Sequence, residues 1–227
     1  MDPLHALVPK ARRRFAKTDP VLARILRDHP LPQRSIVPEG AFEALVSSIA
    51  HQQVSIAAGR TIYGRVAEAS GGAVTPAGIL AAGPDGLRAA GLSRPKASYV
   101  LDLAQRARSG ELDFARMASA GDEEIVEALT AVKGIGAWTA KMFLIFHLSR
   151  PDVLAHEDLG LQVAVAKAYR VPRAKAAAKM QRLAPAWSPY ASVAALSLWN
   201  WRRVEMAREA ALKERQKPSK IGMPRRR

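Results

Sequence analysis

Residues that start and stop α-helices recur along almost the whole chain, and this pattern restricts the fold more than any other feature. Asp19-Pro20 and Thr75-Pro76 each combine an N-cap side chain with a proline at the first helical position. No stretch alternates apolar and polar residues as a half-buried β-strand does, so the sequence predicts an all-α fold. The predicted helices are 21–29, 41–50, 55–69, 76–90, 93–109, 122–132, 137–147, 159–169, 173–183 and 188–214.

Composition excludes several classes of protein. The 227 residues contain no cysteine, which rules out disulfides, thiolate nucleophiles, cysteine-based zinc sites and cysteine-ligated iron-sulfur clusters. No uninterrupted apolar run approaches the roughly 18 residues of a membrane span, and residues 1–15 are charged throughout. We therefore expect neither a membrane span nor a secretory leader, and a cytoplasmic protein that associates with the nucleoid if it is bacterial.

The net charge of +15 is distributed unevenly. Residues 1–39 carry +4, residues 40–150 carry +1 and residues 151–227 carry +10. Such an excess predicts a polyanionic partner, although a solvated basic helical surface is the alternative interpretation. The tail formed by residues 213–227 holds seven basic groups and one acid, with two prolines, and we expect it to be disordered.

The segment Leu129–Ala140, LTAVKGIGAWTA, carries the most specific motif. A helix must end there, reverse and begin again, with Gly134 and Gly136 supplying the backbone freedom. The free N–H groups at the start of the second helix suit a phosphate oxygen. The motif predicts a helix-hairpin-helix DNA-binding element; an ordinary packing corner between two helices is the alternative.

With its context, this motif resembles the helix-hairpin-helix superfamily of DNA base-excision glycosylases, HhH-GPD, and in particular the 3-methyladenine DNA glycosylase II type. The resemblance covers roughly residues 19–205 and also rests on the segments 45–63, 91–104, 152–169 and 187–199. It implies two helical subdomains with a DNA-facing cleft between them and no additional N-terminal β domain. The implied division is a segment 1–39 that packs with the C-terminal subdomain, a central subdomain 40–150 with the hairpin at about 123–147, a C-terminal subdomain 151–212, and the tail.

The resemblance implies a monofunctional glycosylase that excises alkylated purines of the 3-methyladenine and 7-methylguanine type and leaves an abasic site. Asp158 in HEDLGLQ matches the family's catalytic aspartate. A carboxylate there would stabilise the oxocarbenium character that develops as the base leaves, and would orient water. From the residues alone, an N-cap of the helix 159–169 is the favoured interpretation of Asp158, and the two roles are compatible. Excision of deaminated or mismatched bases, or DNA binding without catalysis, are the alternative functions.

A flipped base needs a pocket of flat rings. The resemblance assigns the pocket to Trp138 and Trp199. Met142 and Tyr63 are further expected pocket residues, while Trp187 and Trp201 are expected in the core. An indole face would attract a cationic alkylated purine through a cation–π contact. Met142 stands where some relatives have a tyrosine, and Ala191 where an arginine is expected, so both departures bear on substrate range.

The remaining assignments concern DNA contacts and ions. Gln53 is expected to fill the gap left by the flipped base. The other expected DNA contacts are Lys96, Lys133, Gly134, Gly136, Ala137 and Thr139, with Arg94 as an additional phosphate contact. The hairpin permits a sodium or potassium ion on the backbone carbonyls of Thr130, Val132 and Ile135. No other cofactor is expected, and the partner is double-stranded DNA with damaged bases, bound by a monomer.

Strand cleavage is not expected. Strand-cutting relatives place a lysine at the start of the second hairpin helix, where its amine forms a Schiff base with the sugar. In this chain that position is Trp138, and neither Lys133 nor Lys141 occupies it.

Overall fold

The computed structural model describes the backbone of residues 2–33 and 40–215 and the side chains through residue 212. These residues form thirteen α-helices and one 3-10 turn, with no β-strand among them, which confirms the predicted all-α fold. The helices are α1 Pro3–Ala6, α2 Val8–Thr18, α3 Pro20–Asp28, α4 Ala41–His51, α5 Ile56–Ala69, α6 Pro76–Ala89, α7 Arg94–Ser109, α8 Phe114–Met117, α9 Asp122–Thr130, α10 Ala137–Phe146, α11 Leu159–Ala168, α12 Ala176–Trp187 and α13 Ala191–Arg215, and the 3-10 turn Arg173–Lys175 precedes α12.

The helix starts follow the capping residues of the sequence. The side chain of Asp19 accepts the N–H of Leu22 at 3.0 Å, and that of Thr75 accepts the N–H of Gly78 at 3.0 Å. One predicted cap differs: Gly121 is the N-cap of α9, and Asp122 begins the first turn, where its charge faces the positive end of the helix dipole. The sequence did not predict α1, α2 and α8.

Helix α6 is interrupted. Gly83 has a φ of +62°, a left-handed conformation that only glycine adopts without strain, and Pro84 follows it. The helix therefore consists of two segments joined by a kink, and the second segment carries Arg88.

Two groups of helices pack around the apolar core. Helices α4, α5, α6 and α7 pack in sequence, α10 contacts both α9 and α4, and α11 packs on α12 and α13. The N-terminal helices reach across the chain: α3 and α1 contact α13, and α2 contacts α12. The first eight residues of α13, Ala191–Leu198, are buried on all sides, which fixes the end of that helix beside α11.

A buried carboxylate connects the N-terminal segment to the C-terminal helices. Asp19 is only 3% exposed, and its Oδ2 accepts hydrogen bonds from the Tyr169 hydroxyl and, at 2.7 Å, from Nε1 of Trp187. Burial of the Tyr169 phenol, together with the charge and hydrogen bond of Asp19, raises the pKa of Tyr169 above its usual range. Trp187 is fully buried, in agreement with its expected place in the core.

Two regions of the sequence interpretation lie outside the described residues. These are residues 34–39 of the N-terminal segment and residues 216–227 of the basic tail, together with the side chains of 213–215. Within the described part of the chain, no helix combines the length and apolarity that crossing a membrane requires.

Candidate active site and DNA-facing surface

The hairpin between α9 and α10 has the backbone geometry that its glycines predict. Gly134 has a φ of +79°, and a Cβ atom there would lie 2.1 Å from the ring of Tyr99, so neither the conformation nor the packing tolerates a side chain. Gly136 caps α10 and faces open space, since a Cβ there would meet nothing within 4 Å. The first N–H groups of an α-helix have no partner within the helix, so those of α10 are available to a phosphate oxygen beside this open surface.

Ala137 and Thr139, two of the predicted DNA contacts in the hairpin, differ in how far their side chains are exposed. Ala137 is exposed at the first position of α10. Thr139 is only 6% exposed because it lies on the inner face of α10, so its side chain packs inward. The prediction of Thr139 as a DNA contact is therefore restricted to its backbone N–H, at the third position of the helix.

Asp102 on α7 holds the hairpin in place, a role that the sequence did not indicate. Its Oδ2 accepts the backbone N–H of Lys133 at 2.9 Å and Nε of Arg106 at 3.1 Å. Burial acts to raise the pKa of Asp102, but these hydrogen bonds and the two cations outweigh it and lower the pKa. The Lys133 side chain itself extends into solvent, with Nζ 3.9 Å from Oδ1 of Asp102.

The expected cation site consists of backbone alone. Val132 and Ile135 are buried, and the carbonyl of Val132 accepts the N–H of Ile135 at 3.1 Å. The Thr130 hydroxyl turns back to the carbonyls of Val126 and Glu127. The described residues contain no cluster of three or more histidine or acidic side chains that would hold a metal. A turn with carbonyl donors and no carboxylate fits a weakly bound monovalent ion better than a divalent one, and the sodium or potassium ion stays a prediction.

Asp158 is both a helix cap and the centre of a hydrogen-bond cluster. Its Oδ1 accepts the N–H of Leu161 at 2.6 Å, which caps α11, and Nε1 of Trp199 at 2.9 Å. Its Oδ2 accepts Nε1 of Trp138 at 2.8 Å. A carboxylate offers about four acceptor positions, two on each oxygen, and these three N–H groups leave one on Oδ2. The carboxylate is therefore fixed in orientation and retains one position for a water molecule or a substrate.

The two tryptophans lie beside Asp158, and each contacts the carboxylate through the N–H on the edge of its indole ring. Trp138 on α10 is 44% exposed, so it is not a core residue. Trp199 on α13 is half-buried. Gly160 lies next to its contact with Asp158, because a Cβ atom on residue 160 would be 3.1 Å from Oδ1 of Asp158 and 3.6 Å from Nε1 of Trp199. The absence of a side chain at Gly160 thus leaves room for this contact. The indole groups thus bring α10 and α13 together at the N-terminus of α11.

Phe146 packs on Trp199 beside Asp158, and the sequence analysis did not identify it as a site residue. Its ring stacks on that of Trp199, with centroids 5.8 Å apart and planes 25° apart, although nearly half of its surface is exposed. The spacing of Trp138, Met142 and Phe146, four residues each, could have indicated it, because this spacing repeats along one face of a helix. Met142 is half-buried and packs against the core. Tyr63 lies half-buried on α5, packed against the core, and its place in the pocket stays a prediction.

Gln53 occupies the tip of the loop between α4 and α5. It is exposed, and its φ of +55° is unusual for a residue with a side chain. Val54 and Ile56 beside it are also exposed, Ile56 by 70%, so the loop presents apolar as well as polar groups. Nε2 of Gln52 donates to the carbonyl of Gly134 at 3.0 Å, which joins this loop to the hairpin.

Lys96 differs from its expected role. Its ammonium donates to the carbonyls of Ala50 at 2.9 Å and Gln52 at 2.6 Å, at the C-terminal end of α4. Partial burial lowers the pKa of Lys96. The lysine thus anchors the loop that carries Gln53, and it is not an extended solvent-facing phosphate contact.

An ion pair lies next to the Asp158 cluster. Nζ of Lys141 donates to Oε2 of Glu157 at 3.0 Å, and the two side chains are mostly buried. Nδ1 of His156 lies 3.5 Å from the same oxygen.

Ala191, where an arginine was expected, is buried and donates its N–H to Oδ1 of Asp152 at 3.1 Å.

Sequence and structure comparisons identify proteins that are similar to this chain. A 3-methyladenine DNA glycosylase 1 from Schizosaccharomyces pombe is 31% identical over 74% of this chain and 75% of its own length. A solved DNA-3-methyladenine glycosidase from Bacillus halodurans is 35% identical, with a TM-score of 0.77 over 88% of this chain and 91% of that one. The solved S. pombe 3-methyladenine DNA glycosylase in complex with abasic DNA is 28% identical, with a TM-score of 0.73 over 84% and 95%.

The curated relatives differ in length from this chain, which spans 66%, 75% and 53% of three that it matches. The model of the HhH-GPD superfamily of base excision DNA repair proteins matches residues 46–189, which include the hairpin, Asp158 and Trp138. The predicted resemblance is confirmed: this chain belongs to the HhH-GPD superfamily of base excision DNA repair proteins.

Proposed function

We propose that this chain is a monofunctional DNA glycosylase that flips alkylated purines, of the 3-methyladenine and 7-methylguanine type, out of double-stranded DNA and hydrolyses the N-glycosidic bond. The observation that carries the proposal is the carboxylate of Asp158, held by Nε1 of Trp138 and Nε1 of Trp199 at the end of a phosphate-binding hairpin. A protein that only binds DNA needs the glycines and the positive charge but has no use for this cluster.

The geometry suggests how the bond is cleaved. As the base leaves, positive charge develops on the sugar, and an oriented carboxylate nearby stabilises that charge. The remaining acceptor position on Oδ2 of Asp158 suits the water that attacks the sugar. An alkylated purine carries positive charge and is a good leaving group, so the enzyme has to supply an anion and a pocket rather than an acid.

The aromatic group supports the choice of substrate. Trp138 and Trp199 contact Asp158, Phe146 stacks on Trp199, and a cationic ring gains about 0.5 to 2 kcal/mol on an indole face. The relatives at 28% to 35% identity are named for 3-methyladenine, which supports the same class of lesion here.

The product is expected to be intact DNA with an abasic site, and the active species a monomer. Trp138 replaces the lysine nucleophile of strand-cutting relatives, and Lys141, the nearest lysine on α10, is paired with Glu157. An amine held in an ion pair is not free to attack the sugar, so this pairing supports a hydrolytic reaction.

The direct test uses duplexes that each carry one alkylated or one deaminated base. We expect release of free 3-methyladenine and 7-methylguanine by the native chain. Release of only deaminated or mismatched bases would change the substrate class, and specific binding without any release would show a DNA-binding protein without catalysis.

A further inference from the structure

A positively charged groove lies beside the hairpin, and Lys133 of the hairpin is one of its lining residues. The cavity measures about 340 Å³ and is formed between the second segment of α6 and the outer face of α7. We call it the basic groove and define it by Arg88, Arg94, Ser98, Gln105 and Lys133. Asp102 and three apolar residues complete its wall.

The cations of this groove are poorly neutralised. Asp85, the carboxylate nearest to Arg88, lies 3.9 Å away and is almost fully exposed, so solvent screens the pair. Arg94 forms no ion pair with any side chain in the described ranges 2–33 and 40–212. Asp102 is already engaged by Arg106 and by the backbone of Lys133. The groove therefore keeps a net positive charge together with the hydroxyl of Ser98 and the amide of Gln105.

The groove continues the phosphate-binding surface of the hairpin. Lys133 belongs to both, since its backbone lies in the hairpin turn and its side chain lines the groove. Gly134 packs directly on Tyr99 of α7, so the hairpin turn and the groove are parts of one rigid surface. Phosphates of one strand lie about 3.4 Å apart along the helix axis, so a strand with one phosphate on the N–H groups of α10 has further phosphates close enough to reach a groove that shares Lys133 with the hairpin.

We propose that the basic groove binds the phosphate backbone of the same DNA molecule outside the damaged nucleotide, so that Arg88 of α6 contacts phosphate together with Arg94, which the sequence already indicated as a phosphate contact. The inference rests on the DNA-binding part of the proposed function and not on base excision. It assigns to the kinked helix α6 a role as a second anchoring point, which fixes the direction in which the duplex leaves the hairpin.

The test is the salt dependence of binding to an undamaged duplex. Each phosphate contact contributes about 0.9 to the slope of log K against log salt concentration, so the double variant Arg88→Gln/Arg94→Gln should lower that slope by about 1 to 2. The matched control is Arg12→Gln/Arg13→Gln, which removes the same charge from exposed positions on α2. An unchanged slope in the groove variant, or an equal fall in the control, would overturn the proposal.

Phosphate ethylation interference locates the contact. The native chain should show a continuous run of sensitive phosphates on one side of the lesion, and the groove variant should lose the outer part of that run while the hairpin positions remain. Loss of all positions together would show that the groove residues only support the hairpin. Both measurements use binding alone, so a failure of the proposed excision would appear separately, as absence of base release by the native chain.

Discussion

Nε1 of Trp138 lies 2.8 Å from Oδ2 of Asp158, although the two residues are twenty positions apart. Trp138 is the second residue of α10, whose N-terminus is the proposed phosphate site, and Asp158 caps α11, the helix that follows. One side chain therefore connects the proposed DNA-binding surface to the carboxylate proposed to act on the sugar. A shift of the hairpin on DNA would be transmitted directly to Asp158.

Asp158→Asn should abolish base excision while affinity for an abasic-site duplex stays within a few-fold. The amide removes the negative charge that stabilises the developing cation, but it removes no phosphate contact. Single-turnover release of 3-methyladenine measures the first effect and duplex titration the second. Asp28→Asn, which changes an exposed carboxylate on α3, is the control. A near-native rate in Asp158→Asn would show that another residue carries the chemistry.

Trp138→Phe should lower the single-turnover rate about tenfold and change substrate affinity much less. Phenylalanine keeps an aromatic face but loses the N–H that orients Oδ2, and one hydrogen bond is worth about 1 to 1.5 kcal/mol. Trp201→Phe, which lies outside the cluster, should leave the rate unchanged. If Trp138→Phe weakens binding and preserves the rate, the indole acts only as a pocket wall.

Borohydride reduction during turnover should trap no covalent enzyme–DNA complex. The position of the Schiff-base lysine is Trp138, and the Lys141 ammonium is held by Glu157. Strand breaks should appear only after heat or added base. A strong adduct that disappears in Lys133→Met or Lys141→Met would contradict the monofunctional reaction.

Alkaline pH should destabilise the chain through Tyr169. Its pKa is raised in the folded state, because the phenol is buried and faces Asp19, whereas a solvated tyrosine ionises near pH 10. The contribution of Tyr169 to stability is complete below about pH 10. Above that value the unfolded chain releases the proton and the folded chain retains it, so the free energy of unfolding falls by about 1.4 kcal/mol per pH unit.

Urea unfolding between pH 8 and 11 measures this effect. Tyr169→Phe should remove that part of the fall, and Tyr190→Phe should not. Equal pH profiles for the native chain and Tyr169→Phe would show that other groups account for the alkaline loss.

The sequence predicted the features that depend on local chemistry. Helix starts at Asp19, Thr75 and Ser93 follow from side chains that cap their own helices. The hairpin followed from Gly134 and Gly136, and Asp158 from the family motif. Helices α1 and α2 were missed, although Asp2-Pro3 repeats the cap and proline pattern of Asp19-Pro20 and the side chain of Asp2 accepts the N–H of Leu4 at 3.0 Å. Both helices also pack on distant parts of the chain, α1 on α13 and α2 on α12.

Contacts between distant segments explain what the sequence did not indicate. Lys96 turns inward because the carbonyls that it binds lie 44 and 46 residues earlier in the chain. Asp102 supports a backbone N–H 31 residues later, and Thr139 is buried by the side of α10 that meets the core. The donor role of the two indoles likewise depends on how α10, α11 and α13 converge.

The partners of Asp19 also set an order on folding during synthesis. The groups that hold the buried carboxylate of α3, on Tyr169 and Trp187, are made 150 and 168 residues after Asp19. Until both have left the ribosome, Asp19 lacks its buried environment, and α3 can pack on α2 but not on α13. A truncated translation product that ends before Trp187 would therefore leave Asp19 without these partners. The face of α3 that packs on α13 would then be exposed to proteases and chaperones.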